Sequence, residues 1–210
     1  FPLTPWAIQF TEETGQKITR GDWNWEAGLL SDQIKDIERI RDHALRAAFG
    51  NWSFLKNQSI DKEQYANYKL SWVAYIGGKR ESRRLMGDII LTEQDVLNSI
   101  PYDDASFTTT WPIDLHYPKP VKGLEHEEPF LSYADAQDIK PYSVPYRTLY
   151  SRNIDNLFMA GRNISVTHAA LGTIRVMRTT GMMGEVIGMA ASIALQYNTT
   201  PRGVVLYCRA

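Results

Sequence analysis

Seven of the ten prolines in the chain fall between Pro101 and Pro145. Proline lacks the amide hydrogen a helix needs and disfavours helical geometry in the residue before it, so this stretch cannot hold a long helix. Loops and short strands are expected there. Helical signals lie on either side of it, and the combination predicts an α+β fold.

On the N-terminal side, Ser31 is placed to cap a helix in which Ile34, Ile37, Ile40, Ala44 and Ala48 recur at helical spacing. Gly50 and Asn51 weaken that helix and Trp52 and Leu55 resume it, so a kinked continuation to about Lys56 is expected. Its charged side, with Asp36, Glu38, Arg39 and Arg41, reads as a solvated face. Leu70 to Ile76 is rich in β-formers and ends at Gly77-Gly78, which predicts a strand and a turn. Thr92 predicts the cap of a short helix through Leu97. Beyond the prolines, the apolar run Asn156 to Ala160, closed by Gly161, predicts a buried strand. A loop with His168, Gly172 and Arg175 then leads to a helix from Thr179 or Thr180 to Gln196.

Composition excludes some functions. With 43% apolar and 22% charged residues the chain belongs with folded globular proteins. Its 23 basic and 24 acidic residues leave a net charge of −1, so no global field recruits nucleic acid or an anionic membrane; any anion site must be local. One cysteine, Cys208, rules out an intramolecular disulfide or a thiolate metal cluster, and no metal site is expected. The best apolar run, Met182 to Leu195, is interrupted by Glu185 and falls short of the roughly 20 residues a membrane span needs. The opening Phe1-Pro2-Leu3 reads as the interior of a longer protein. The compartment stays open, cytoplasmic or periplasmic.

Strand, loop and helix in succession present the helix N-terminus to a ligand, where unsatisfied amides and the helix dipole favour electron-rich atoms. Here that opening is Thr179, Thr180, Gly181 and Met182. Glycines 181, 184 and 188 would let a neighbouring backbone come close, and an ordinary packing unit produces the same pattern. Arg80 and Arg83, in the basic run after Gly78, suit either a carboxylate clamp or a surface cluster. His116 lies two residues from Asp114, on one face of an extended strand, as a proton-transfer pair or a structural hydrogen bond. Trp23 and Trp25 suit a buried core or a platform for sugar rings.

The stretch LFMAGRNIS followed by THAALGTIRVM and a glycine-bearing helix resembles the C-terminal flavin-contacting segment of FAD-dependent oxidoreductases of the glutathione-reductase-like superfamily. Within it the chain is most similar to the group whose members are sometimes labelled putative xanthan lyase. WNWEAG at 23–28, IRDHALRAAFGNW at 40–52, GKRESRRLMGD at 78–88, WPIDLH at 111–116 and PYRTLY at 145–150 extend the likeness over most of the chain. The resemblance implies FAD as cofactor and hydride transfer with a small or carbohydrate-related substrate. It implies a substrate-side domain over residues 1–150 and the C-terminal segment of the FAD-binding domain over 151–210. It places Gly161, Arg162, Gly172, Arg175, Thr179, Thr180, Gly181 and Met182 at the cofactor and His168 in the flavin loop; His168, Arg80 and His116 are the substrate-side candidates. Arg178 stands where such proteins often have proline, and Thr180-Gly181 replaces a Cys-containing pair, which alters the helix entrance. The GVVLYCRA ending also departs from the pattern.

No GxGxxG follows a strand anywhere in the 210 residues, so the ADP half of FAD lacks its usual cradle. A separate N-terminal Rossmann half is therefore the expected partner, and the chain alone is expected to be inactive and to hold FAD weakly or not at all. The rival reading is a glycan-binding or polysaccharide-lyase accessory module, which leaves AGRNIS and ALGTIRVM without a purpose.

Overall fold

A computed structural model describes residues 1–17 and 25–207; Trp23 and Cys208 lie outside them. The fold is α+β, and the described residues form helices and two small two-stranded sheets. The chain forms two compact units, one of Phe1–Lys79 with His116–Ala134 and the other of Arg80–Leu115 with Asp135–Ala210.

The first unit is organised by helix α1, Ile37–Asn57. The helix begins six residues after Ser31, because Asp32 turns its carboxylate back onto the amides of Ile34 and Lys35 and holds that stretch as a turn. Buried Ala47, Phe54 and Leu55 face a core that includes Ile8, Phe10, Tyr65 and Phe130. Trp25 is partly buried against that core, stacked on Phe130 at 5.9 Å.

The helix runs on unbroken through Gly50, which admits the N-terminal segment. A Cβ there would lie 2.1 Å from the Ile8 carbonyl oxygen, while the Ile8 amide donates to the Arg46 carbonyl at 3.3 Å. Gly50→Ala would have to push two backbones apart, and a loss of about 1–3 kcal/mol is expected, as for other overpacked sites. A urea titration reading α1 helicity measures it, and an unchanged midpoint would show that the crossing is loose.

Leu70 to Ile76 is not a strand. Trp72, Tyr75 and Ile76 are more than two-thirds exposed, and among the described residues the segment pairs with no strand edge. β-propensity expresses how well side chains pack on a sheet, and without a neighbouring strand it gives no ladder. Arg41 sits over the Tyr75 ring at 4.7 Å instead.

In the second unit Thr92 caps α2, Glu93–Leu97, through a reciprocal pair of bonds with Asp95. The proline-rich third forms short strands as expected: β1, Ala105–Thr109; β2, Ile113–Pro118; β3, Ser132–Gln137; and β4, Tyr142–Pro145. β1 pairs antiparallel with β4, with an irregularity between Ala105 and Phe107. β2 pairs with β3, and in both strands the chain passes from one unit to the other.

Two expectations for the C-terminal region change. Asn156 to Ala160 is not a buried strand: only Met159 is buried, and pairing is a single bridge, Tyr150 with Phe158. The segment is too short between the turn at 152–156 and Gly161 to build a ladder. The buried extended stretch follows it, where Ile164 and Val166 are in the core. There Asn163 accepts from the Leu85 amide at 2.9 Å, Ser165 donates to Thr148 at 3.2 Å, and Leu91 bridges Val166 in parallel.

The segment after it is helical rather than a loop. Helix α3 covers His168–Ile174 and α4 covers Met177–Gln196, which starts two or three residues earlier than its threonines suggest. Fully buried Ala170, Leu171 and Ile174 supply α3's packing face, which offsets the cost of Gly172 within it. Gly172 is needed for contact: a Cβ would meet the Asp114 amide nitrogen and carbonyl oxygen at 3.0 Å each. Glycines 181, 184 and 188 meet nothing within 4 Å and serve no close approach in this chain.

Candidate functional site

The second unit contains an open depression of about 530 Å³ lined by Arg80, Ala160, Gly161, Arg162, Arg175, Met177 and Thr180. Three separate stretches of sequence supply it. Arg80 comes from the basic run, Ala160 to Arg162 from the end of the LFMAGR segment, and Arg175 to Thr180 from the junction of α3 and α4.

Local geometry explains each placement. Gly161 has φ +120°, a conformation that excludes side chains, and turns the chain after Met159 is buried. Arg175 caps α3, and extended Val176 (ψ 149°) redirects the backbone into α4. The Arg175 side chain is 12% exposed; its Nη2 donates to the Asp114 carbonyl at 2.8 Å and meets the Asp114 carboxylate at 3.3 Å. The guanidinium is thereby held in one orientation from β2. The Thr180 hydroxyl donates to the Met177 carbonyl at 3.0 Å, and the first amides of α4 have no partner within the helix.

Of the residues read from sequence, Gly161, Arg162, Arg175, Thr180 and Arg80 share this depression. The others sit elsewhere. Thr179 is buried with its hydroxyl 3.2 Å from that of Thr109 on β1. Gly172 packs on β2, Gly181 is exposed, and Met182 is half-buried one turn into α4. His168, at the start of α3, is 64% exposed and brings Nδ1 to Glu81 at 2.8 Å; Glu81 also holds Arg84. His116 belongs to the first unit, where Nδ1 meets Glu26 at 2.6 Å, and Asp114 is engaged with Arg175.

Sequence reasoning did not find Ala160, Met177 or Glu81. Ala160 and Met177 adjoin residues that were found and follow once the true start of α4 is known. Glu81 carries no local signal, because its contact with His168 spans 87 residues.

A second polar cluster lies in the same unit. Arg202 grips Asp88 through two bonds of 2.6 and 2.8 Å, and the buried Tyr150 hydroxyl donates to Asp88 at 2.7 Å. The Arg202 guanidinium, and secondarily the Tyr150 hydroxyl, hold the Asp88 carboxyl below its usual range against the opposing effect of burial. Burial and the neighbouring Asp88 push the Tyr150 phenol up, so it stays a donor.

The family model described as FAD dependent oxidoreductase matches residues 4–207. The chain belongs to this family. Membership supports a flavin oxidoreductase type of function and implies FAD as the cofactor of its full-length relatives. No curated protein and no solved structure matches the chain. Among the described residues no helix is long and apolar enough to cross a membrane.

Proposed function

We propose that this chain is the C-terminal part of an FAD-dependent oxidoreductase of glutathione-reductase-like type, in which the depression at the start of α4 faces the flavin. The observation that supports the reading most is the convergence of Gly161, Arg162, Arg175 and Thr180, each named from the sequence for cofactor contact, around one cavity. The donor set suits a flavin: guanidiniums and helix-start amides match the electron-rich carbonyl edge of the ring system, and the glycine at 161 leaves room for close approach. FAD, when bound, supplies a two-electron acceptor for a hydride from a substrate C–H bond.

The chain's own groups then hold and orient. Asp114 fixes the Arg175 fork, and a fixed positive charge beside the ring favours electron density arriving there. Arg80 lies on the same cavity and is the substrate-side cation. Glu81 holds His168 by Nδ1, which leaves the Nε2 atom uncommitted to that contact and available for proton transfer. The pyrophosphate cradle comes from a Rossmann half outside these 210 residues, since the fingerprint is missing from the sequence.

Expressed together with its upstream coding region, the protein is expected to show oxidised-flavin absorbance at about 450 nm, a property of the isoalloxazine itself. The 210-residue chain alone is expected to be colourless. Stoichiometric FAD on the isolated chain would disprove the division of labour, and a colourless longer protein would remove the flavin reading.

A second reading, a glycan-binding accessory module, is favoured by the exposure of Trp72 (78%) and Tyr75 (71%) within one segment of the first unit. Tryptophan fluorescence of the chain titrated with acidic oligosaccharides tests it, and a Trp72→Ala variant with undiminished binding would exclude that segment as the platform.

A further inference from the structure

We propose that Leu70 to Ile76, in the first unit, is one strand of a sheet whose other strands belong to the separate Rossmann-bearing half of the protein, so that this segment is the docking site for that half. The inference rests on the proposed C-terminal assignment for the identity of the partner; the need for a strand there stands on the chemistry of the segment itself.

In an extended segment, alternation places Leu70, Trp72, Ala74 and Ile76 on one face and Ser71, Val73 and Tyr75 on the other. Apolar residues on both faces mark a strand covered from two sides, since a strand with one wet face alternates apolar with polar. The described residues do not supply that cover. Trp72, Tyr75 and Ile76 stand in solvent, and within the segment only Val73 and Ala74 are half-buried. The backbone is open as well: among the described residues, no amide or carbonyl from Lys69 to Ile76 makes a backbone hydrogen bond. Contacts on one flank hold the segment to α1, with Arg41 over the Tyr75 ring at 4.7 Å and Gly77 so close to Ile37 that a Cβ would lie 3.3 Å from its Cδ1. The segment is thus anchored at its end while its apolar faces and its backbone groups stay unmet.

Those two deficits together select the partner. A sugar covers ring faces and leaves a run of amides and carbonyls unmet, and a helix has no free backbone groups along its side to offer them. A strand edge meets such groups in register and brings side chains to both faces. A second copy of the chain also offers an edge, but antiparallel pairing about Val73 sets one uncovered segment against another and gives a two-stranded ribbon with both faces open, which is marginal in water. The Rossmann half brings a sheet already covered on its faces by helices: the fingerprint that these 210 residues lack follows the first strand of a parallel βαβ unit. An apolar strand with two dry faces is the element such a sheet accepts.

Amide hydrogen exchange read by mass spectrometry compares the 210-residue chain with the longer polypeptide made from its upstream coding region. Amides of residues 70–76 are expected to exchange freely in the chain alone and about a hundredfold or more slowly in the longer polypeptide. Adjacent amides of a strand point to opposite edges, so Ser71→Pro and Trp72→Pro test both sides. Each is expected to leave the melting temperature of the chain alone unchanged, because both residues are exposed and neither amide is bonded there. At least one of them is expected to lower that of the longer polypeptide by about 5 °C or more, beyond the effect of Ser71→Ala or Trp72→Ala. Free exchange at 70–76 in the longer polypeptide overturns the proposal. So does protection in the chain alone that rises with its concentration, which would make the partner a second copy. Tetragalacturonate that changes the tryptophan fluorescence of the longer polypeptide, with the change abolished in Trp72→Ala, would show the ring still open to a sugar and also overturns it. A longer polypeptide that lacks flavin absorbance but protects 70–76 ends the oxidoreductase reading and leaves the strand pairing standing; one that binds flavin with 70–76 open does the reverse.

Discussion

Arg147→Met is expected to cost the second unit about 3–5 kcal/mol, the penalty for leaving a buried charge without its partner. The Asp104 side chain is completely buried, and Arg147 meets it three times: the backbone amide and Nε at Oδ2 and Nη2 at Oδ1, each at 2.9 Å. The Arg147 carbonyl also accepts from the Ile89 amide at 3.4 Å and lies 2.4 Å from where a Cβ of Gly87 would sit. One residue thus ties the end of β4 to the 87–91 segment, which pairs with the buried stretch leading to α3. Burial by itself raises the Asp104 carboxyl, but the Arg147 bonds overcome it and hold the group below its usual range. The folded chain therefore binds fewer protons at Asp104 than the unfolded chain does. Its contribution is complete above the unfolded carboxylate value of about 3.9 and is lost as pH falls through the lower folded value. In Arg147→Met the backbone amide still donates to Asp104 but the guanidinium bonds and charge are gone, so burial is opposed far less and acid unfolding is expected to move to higher pH. Asp103→Asn is the control: that carboxylate is 57% exposed, and its bond to Arg147 should be worth about 1 kcal/mol or less. Urea midpoints for the two variants at neutral pH decide the matter; equal, small losses would mean that the Asp104 pair is not what holds the unit together.

That pair spans 43 residues and has no local signature, which is how the sequence conceals much of this molecule. What could be read were features that are local in origin. Proline placement predicted the short strands, the Thr92 cap predicted α2, and the stretch from Thr179 or Thr180 to Gln196 was read as the helix that α4 contains. What could not be read depended on a distant partner. Gly50 looks like a helix breaker until Ile8 is seen crossing it, and Gly172 hides α3 until β2 is seen against it. Leu70 to Ile76 has the composition of a strand but no edge to pair with. In the depression, Gly161, Arg162, Arg175 and Thr180 were legible because they lie within one continuous segment whose motif is recognisable. Arg80, some 80 residues upstream, was only one of several candidates in a basic run until the fold selected it over Arg83.

Arg175→Met, made in the longer polypeptide with FAD bound, is expected to lower the flavin reduction potential and slow flavin reduction, a loss of about 2–4 kcal/mol of charge stabilisation. The same change is expected to lower the melting temperature, because Arg175 also anchors the Asp114 carbonyl and carboxylate to the end of α3. Two further variants separate these roles. Arg175→Lys keeps a positive charge but loses the planar fork, so the potential should stay near that of the parent while the melting temperature still falls. Asp114→Asn keeps the guanidinium and the backbone bond but removes a negative charge 3.3 Å from it, so the potential should rise. Charge, not packing, then orders the potentials: Asp114→Asn highest, the parent and Arg175→Lys together, Arg175→Met lowest. If all three variants lose stability while the potential stays fixed, Arg175 is a strut between α3 and β2, and the positive charge beside the flavin must come from Arg162 or from the opening of α4.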